Sequence, residues 1–218
     1  MARRIAFVVV AALAVLAASA CTPARPLYHL DEPAGSTTVD DANDVVDGRA
    51  TNVTFGQPGK TGTAARFNGT SSIIRIPNNA AMNPGSGDFA VTVSVRFSVL
   101  PGSSTFDVIR KGIDGDGGYW KVELYNASGS ARARCVWRDN AGHQTSLVQG
   151  SNLQNNAWHT ITCALQGDQT VMTVDGKTKT NTPDAEIGTI SNSRETTIGA
   201  KPTGGDWYNG LVDEVSFG

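Results

Sequence analysis

The sequence predicts an all-β protein, a sandwich of antiparallel strands. Three observations carry that prediction. Phe89, Val91, Val93, Val95, Phe97 and Val99 alternate with Ala90, Thr92, Ser94, Arg96 and Ser98, the strict period of two of a half-buried strand. Turn dipeptides recur along the chain: Asp47-Gly48, Asn68-Gly69, Pro84-Gly85, Pro101-Gly102, Asp116-Gly117, Asp175-Gly176 and Asn209-Gly210. No stretch beyond residue 20 shows a sustained 3.6-residue apolar stripe. Composition agrees, since only 17% of the 218 residues are charged and 24 are Gly.

Residues 1–20 read as a signal peptide. Arg3 and Arg4 supply a basic start, Ile5 to Ala18 an apolar run, and Ala18-Ser19-Ala20 a small-x-small end. The run is too short for a comfortable permanent span of the membrane. Residues 21–26 form a short tether, and a single domain fills 27–218. Without Arg3 and Arg4 the chain carries 16 basic against 20 acidic residues. A mildly acidic exported domain is a poor candidate for nucleic acid or for coating an anionic membrane.

Within the domain a first strand is expected at Leu27. Shorter alternating runs predict strands at Ile73–Ile76, Phe106–Arg110, Tyr119–Tyr125, Ala131–Arg138, Trp158–Leu165, Thr170–Val174, Thr196–Ile198 and Tyr208–Phe217. Residues 171–177, with Asp175-Gly176 at the bend, read as a tight hairpin. One register can be predicted outright. Setting Glu123 opposite Arg134 puts Trp120 against Trp137 and Val122 against Cys135 on the core side. Lys121, Tyr125, Arg132 and Val136 then share the outer face with the ion pair, and a one-residue slip would spoil both faces. Trp120, Trp137 and Trp158 are assigned to the core.

Three cysteines are an odd number. Cys135 and Cys163 each fall on the more apolar side of their strand and point at the same core. In an exported chain they form a disulfide worth roughly 3–4 kcal/mol, or else remain two buried thiols. Cys21, following Ala18-Ser19-Ala20, resembles the lipid-modified cysteine of a bacterial lipobox, although Ala18 departs from the usual Leu. The alternative is plain cleavage after Ala20. Pairing 135 with 163 leaves Cys21 alone and tilts the reading towards a lipid.

Several short signatures occur in one order: Leu30 to Gly35, Ala65-Arg66-Phe67-Asn68-Gly69-Thr70, Ile74-Arg75-Ile76-Pro77, Asp88 to Val91, Val108-Ile109-Arg110-Lys111-Gly112, Trp158 to Ile161, Val174-Asp175-Gly176, Ile198-Gly199 and Gly210 to Val215. The series resembles a laminin-G-like domain of the concanavalin A-like lectin/glucanase superfamily over almost the whole exported chain. The resemblance implies a jelly roll of two antiparallel sheets. It also implies one structural Ca²⁺ near the last strand, with Asp213 as ligand and the Gly69 carbonyl and Asp31–Glu32 as companions; Asp213 as a metal-free strand cap is the alternative. Asp114 to Gly118 imitates the start of an EF-hand loop, but Tyr125 holds the place of the bidentate Glu, so a tight acidic hairpin loop is expected.

The chain has only five Glu, and none opens the E-x-D pattern of the superfamily's hydrolases. His29, His143 and His159 lack metal-ligand spacing. The expectation is a non-catalytic binding domain for a carbohydrate or an extracellular protein. A glycan-active hydrolase or lyase of the same fold is the first alternative, and a structural domain without a ligand the second. Trp207 and Tyr208, in a Gly-rich loop, are the candidate aromatic platform; Trp207 packed over the end of the sandwich is the plainer possibility. Tyr125, Arg132, Arg134 and Arg138, with Lys121, are the candidate cationic stripe; a solvated strand face is its plainer reading. The expected location is extracellular, either secreted or anchored outside the cell membrane through Cys21.

Overall fold

The computed structural model describes residues 24–102 and 105–218. The expected signal peptide, Cys21 and part of the expected tether lie outside these residues. Alternation gives sixteen strands here, numbered in chain order, with no α-helix among the described residues and one 3-10 turn, Ala80–Met82.

The first sheet runs in the order β14 (Lys177–Asn181), β13 (Gln169–Val174), β12 (Trp158–Gln166), β7 (Phe89–Arg96), β16 (Asn209–Phe217), β5 (Thr63–Asn68) and β4 (Thr54–Pro58), with β1 (Leu27–Tyr28) beside β16. The second runs β11 (Gln144–Gln149), β10 (Ser130–Arg138), β9 (Tyr119–Ala127), β8 (Phe106–Lys111), β15 (Thr196–Ile198), β6 (Ile73–Ile76), β3 (Gly48–Thr51) and β2 (Thr38–Val39). All pairings within the sheets are antiparallel. This is the expected two-sheet jelly-roll sandwich.

The inner faces meet in one aromatic and aliphatic core. Phe89 lies 5.5 Å from Trp120 and 6.0 Å from Trp137, ring centre to ring centre. The register of β9 and β10 is the predicted one: Arg134 opposite Glu123, Trp137 opposite Trp120, Cys135 opposite Val122. Cys135 of the second sheet and Cys163 of the first are bonded, with Cα atoms 5.7 Å apart, so the disulfide staples the two layers. The hairpin at Asp175-Gly176 also forms, with φ of 50° and 77° at its two central residues, the positive pair a tight turn demands.

Four expectations need correction. The strand from Phe89 stops at Arg96 rather than Val99, because the Phe97 carbonyl accepts from Asn156 N–H and the chain leaves the ladder; Val99 is 46% exposed. Asn209-Gly210 is no turn but the start of β16. A Cβ at Gly210 would lie 2.3 Å from Tyr208 Oη, so the strand takes a glycine there to admit the phenol. Trp158 is not in the core: it points outward from β12, opposite Arg96, and is half-buried. Finally β2, β3, β4, β5 and β11 went unpredicted, since they are short or carry too few large apolar residues to show a period.

Candidate functional site

The outer face of the second sheet gathers charge. Arg49 of β3, Arg75 of β6, Thr197 of β15, Arg110 of β8 and Lys121 of β9 occupy adjacent register positions on five neighbouring strands. Each strand contributes them by simple alternation, because the flanking residues Ile74, Ile76, Ile109, Trp120 and Val122 face the core. The two ends of this row differ in what surrounds them.

At the β8–β10 end the charges pack on one another. Asp107 and Glu123 are register partners, and both are fully buried. Arg110 Nη1 donates to Asp107 Oδ2 at 2.7 Å, and its Nε donates to the Gly112 carbonyl at 2.8 Å. Lys121 Nζ donates to Glu123 Oε2 at 2.5 Å, and Arg134 Nε to Glu123 Oε1. Asp107 Oδ1 has no hydrogen-bond partner; Lys121 Nζ stands 4.0 Å away. Burial lifts the Asp107 carboxyl above the usual range, against the downward pull of Arg110 and Lys121.

At the β3–β6 end the face opens into a groove of about 740 Å³. Arg49 and Thr51, Arg75 with Pro77 and Asn78, Asp116, and the segment Asn192 to Glu195 wall it. Asn192 pins that segment: its side-chain amide donates to the Gly118 carbonyl at 2.7 Å and its Oδ1 accepts from Arg194 N–H at 2.9 Å. Arg194 forks onto Asp116, with Nη2 to Oδ1 at 2.6 Å, and this hydrogen-bonded guanidinium holds the Asp116 carboxyl below its usual range. Arg75 pairs with Glu195 and also donates to the Pro202 carbonyl at 3.0 Å.

The expected site residues divide between these surroundings. Tyr208 is not a surface ligand residue. It is 0% exposed, with Phe67, Phe97 and Phe106 about its ring at 5.9–6.1 Å, and its hydroxyl donates to the Leu211 carbonyl at 3.0 Å. Trp207 next to it is half-buried in the loop between Gly199 and Tyr208. Tyr125, Arg132, Arg134 and Arg138 do share the outer face of β9 and β10. Arg134 is committed to Glu123 and lies 5.1 Å over the Tyr125 ring, while Arg138 pairs with Asp114 at 3.3 Å. The Glu123–Arg134 pair is thus no solvated surface pair, because Glu123 is sealed beneath its partners. Sequence reasoning missed Arg49, Asp116 and Arg194. Arg75 was visible only as the polar position inside Ile73–Ile76, and nothing local marks it as facing Arg49.

The expected calcium ligands do not all converge. Asp213 is buried at β16, and its Oδ2 accepts from Lys60 N–H at 2.7 Å and Thr61 N–H at 3.1 Å. Asp31 reaches the same loop, accepting from Thr63 N–H at 2.5 Å. Gly69 instead donates to the Tyr208 carbonyl just before β16, five strand residues from Asp213 or about 17 Å away. It cannot share an ion with Asp213. Asp213 Oδ1 and Glu32 Oε2 are each buried without a hydrogen-bond partner, the two features of this set that fit a cation. No group of three His, Cys, Asp or Glu that could hold a metal occurs among the described residues. The histidines stay apart, each against its own carboxylate: His29 on Glu214, His143 on Asp139, His159 on Asp175.

A laminin G family model, described as Concanavalin A-like lectin/glucanases superfamily, matches residues 68–217. The chain belongs to this superfamily. No curated protein matches it in sequence. Among solved structures this concanavalin A-like chain is similar to the binding domain of Paraclostridial Mosquitocidal Protein 1, with TM-score 0.69 and 16% identity over 88% of this chain and 48% of that one. It is also similar to domain 4 of AbnA, a GH43 extracellular arabinanase from Geobacillus stearothermophilus in complex with arabinotriose, with TM-score 0.62 and 16% identity over 88% and 90% of the two chains. A third is the LG4-5 region of the mouse laminin alpha1 chain, with TM-score 0.58 and 18% identity over 73% and 43%. The chain spans about half the length of the mosquitocidal and laminin structures. At these identities the likeness is one of fold.

Proposed function

We propose that this is an exported, non-catalytic carbohydrate-binding domain whose ligand lies in the groove between β3, β6 and the Asn192–Glu195 segment. The observation that carries the reading is the groove itself: about 740 Å³, polar, and mounted on paired strands. A carbohydrate suits it better than a protein partner. Among the described residues Val99 is the only large hydrophobic that is exposed, whereas protein interfaces centre on exposed apolar and aromatic anchors. The arabinotriose complex of AbnA domain 4 supports a sugar ligand on this fold. The non-catalytic part is supported by Asp107 and Glu123. They are adjacent carboxylates on this face, and Arg110, Lys121 and Arg134 cover them from substrate and water.

An array of polysaccharides, scored for retention and for release of reducing ends, tests the proposal. Retention without release is expected. Thr51→Trp, which fills the groove from β3, should abolish retention, and Trp207→Ala should leave it. The opposite pattern would move the site to the Trp207 loop, and release of sugar ends would make the protein an enzyme. Asp213, Asp31 and Glu32 are the residues that would hold a structural Ca²⁺. Adding Ca²⁺ should then raise the melting temperature and a chelator should reverse the rise; an unchanged melt in both removes the ion. Export with a lipid at Cys21 predicts a mature mass that includes a diacylglycerol.

A further inference from the structure

The charges of the groove do not cancel. Its two acidic residues are already committed, Asp116 to Arg194 and Glu195 to Arg75. Arg49 lies exposed on its wall and has no hydrogen bond or ion pair among the described residues. Behind the wall sits Lys111, turned inward from β8 and fully buried. Its Nζ donates to Asn78 Oδ1 at 2.7 Å and to the Arg194 carbonyl at 2.5 Å. Both acceptors are neutral and both residues line the groove. No carboxylate comes within ion-pair distance of that ammonium among the described residues. A buried charge without a counter-charge is costly to keep. Burial accordingly lowers the Lys111 pKa to about 8.

The lining also excludes one common way of holding sugars. Nine of its ten residues are polar, Pro77 being the exception, and none is aromatic. A neutral ring would find no platform to stack on. What the groove offers is positive charge: Arg49, Arg75 and Arg194 on its walls, with Lys111 behind them, against Asp116 and Glu195.

We propose that the groove selects an acidic sugar, a ring bearing a carboxylate or a sulfate, with the anion seated on the free guanidinium of Arg49. This rests on the reading that the groove is the glycan site. Arg49 presents a planar fork of donors that matches either anion. The two ion pairs hold the walls, and Lys111 orients Asn78 while supplying field from behind. The protein as a whole is net negative, so the attraction is local to the groove and falls with added salt.

Calorimetric titration of the protein with three oligosaccharides tests this: one containing glucuronate, its carboxyl-reduced neutral counterpart, and a sulfated one. An acidic oligosaccharide should bind about tenfold or more tightly than the neutral one. Arg49→Gln should erase that margin at an unchanged melting temperature. Lys111→Met should raise the melting temperature yet weaken acidic binding, a combination that a purely structural lysine would not produce. Preference for the uronate or for the sulfated chain identifies the anion, and either supports the proposal. Equal binding of neutral and acidic sugars, surviving Arg49→Gln, overturns the acidic preference and leaves the glycan reading standing. Failure to retain any sugar, here and on the array, overturns both.

Discussion

The two ends of one sheet face make an instructive pair. Both are built by the same alternation and from the same residue types. At the β8–β10 end Asp107, Arg110, Lys121, Glu123 and Arg134 satisfy one another, and both carboxylates are lost to solvent. At the β3–β6 end Arg75 pairs with Glu195 outside the sheet, Arg194 and Asp116 pair with each other outside it, and Arg49 is left over. The first arrangement is a filled lattice that gives stability and nothing to bind. The second holds its walls apart and keeps one cation free. A row of charges on a strand face becomes a receptor only where its counter-charges come from loops that stand clear of the sheet.

Substitutions at both ends can break or sharpen this contrast. The largest effect is expected at Glu123→Gln. It strands Lys121 and Arg134 over a buried site and should cost about 3–5 kcal/mol in urea unfolding. A loss below about 1 kcal/mol would mean that the lattice is solvated and that the two ends are alike. Next comes Lys111→Met, of opposite sign. The folded pKa of Lys111, about 8, lies below its ordinary 10.5. The native state therefore binds fewer protons than the unfolded chain between these values. Wild-type stability should climb as the pH rises from 8 to 10.5, and the penalty is full below about pH 8. Lys111→Met should gain about 2 kcal/mol at pH 7, once the lost hydrogen bonds are set against the relieved charge, and should flatten that climb. A smaller change is expected at Arg194→Gln, which removes a half-exposed fork on Asp116: a loss of about 0.5–1 kcal/mol, checked in the same titration. Arg49→Ala should be smallest, within about 0.5 kcal/mol, because nothing in the fold depends on it. If Arg49→Ala destabilises as much as Glu123→Gln, Arg49 is structural and the groove loses its free cation.

The β9–β10 hairpin was legible to the residue because two independent faces constrain a single register. Trp120 and Trp137 require the core, and Glu123 and Arg134 require each other. The disulfide followed from strand parity at Cys135 and Cys163. Tyr208 was misread for the complementary reason. Its Gly-rich neighbours look like a loop, yet Gly210 is small so that the Tyr208 ring can turn inward. Within the calcium set, Asp31 and Asp213 both accept from backbone N–H groups of residues 60–63, whereas Gly69 lies several strand residues away.

By itself the sequence determined the fold class, the core-facing side of most long strands, the link between the layers and the tally of charges. Those properties follow from local periodicity, which each strand carries within its own residues. Only the tertiary structure decided which charges meet. Arg49, Arg75, Asp116 and Arg194 are separated by up to 145 positions in the chain and come together because β15 inserts between β6 and β8. Electrostatic partnership depends on distances of a few ångströms, and strand order, which no local period encodes, sets those distances.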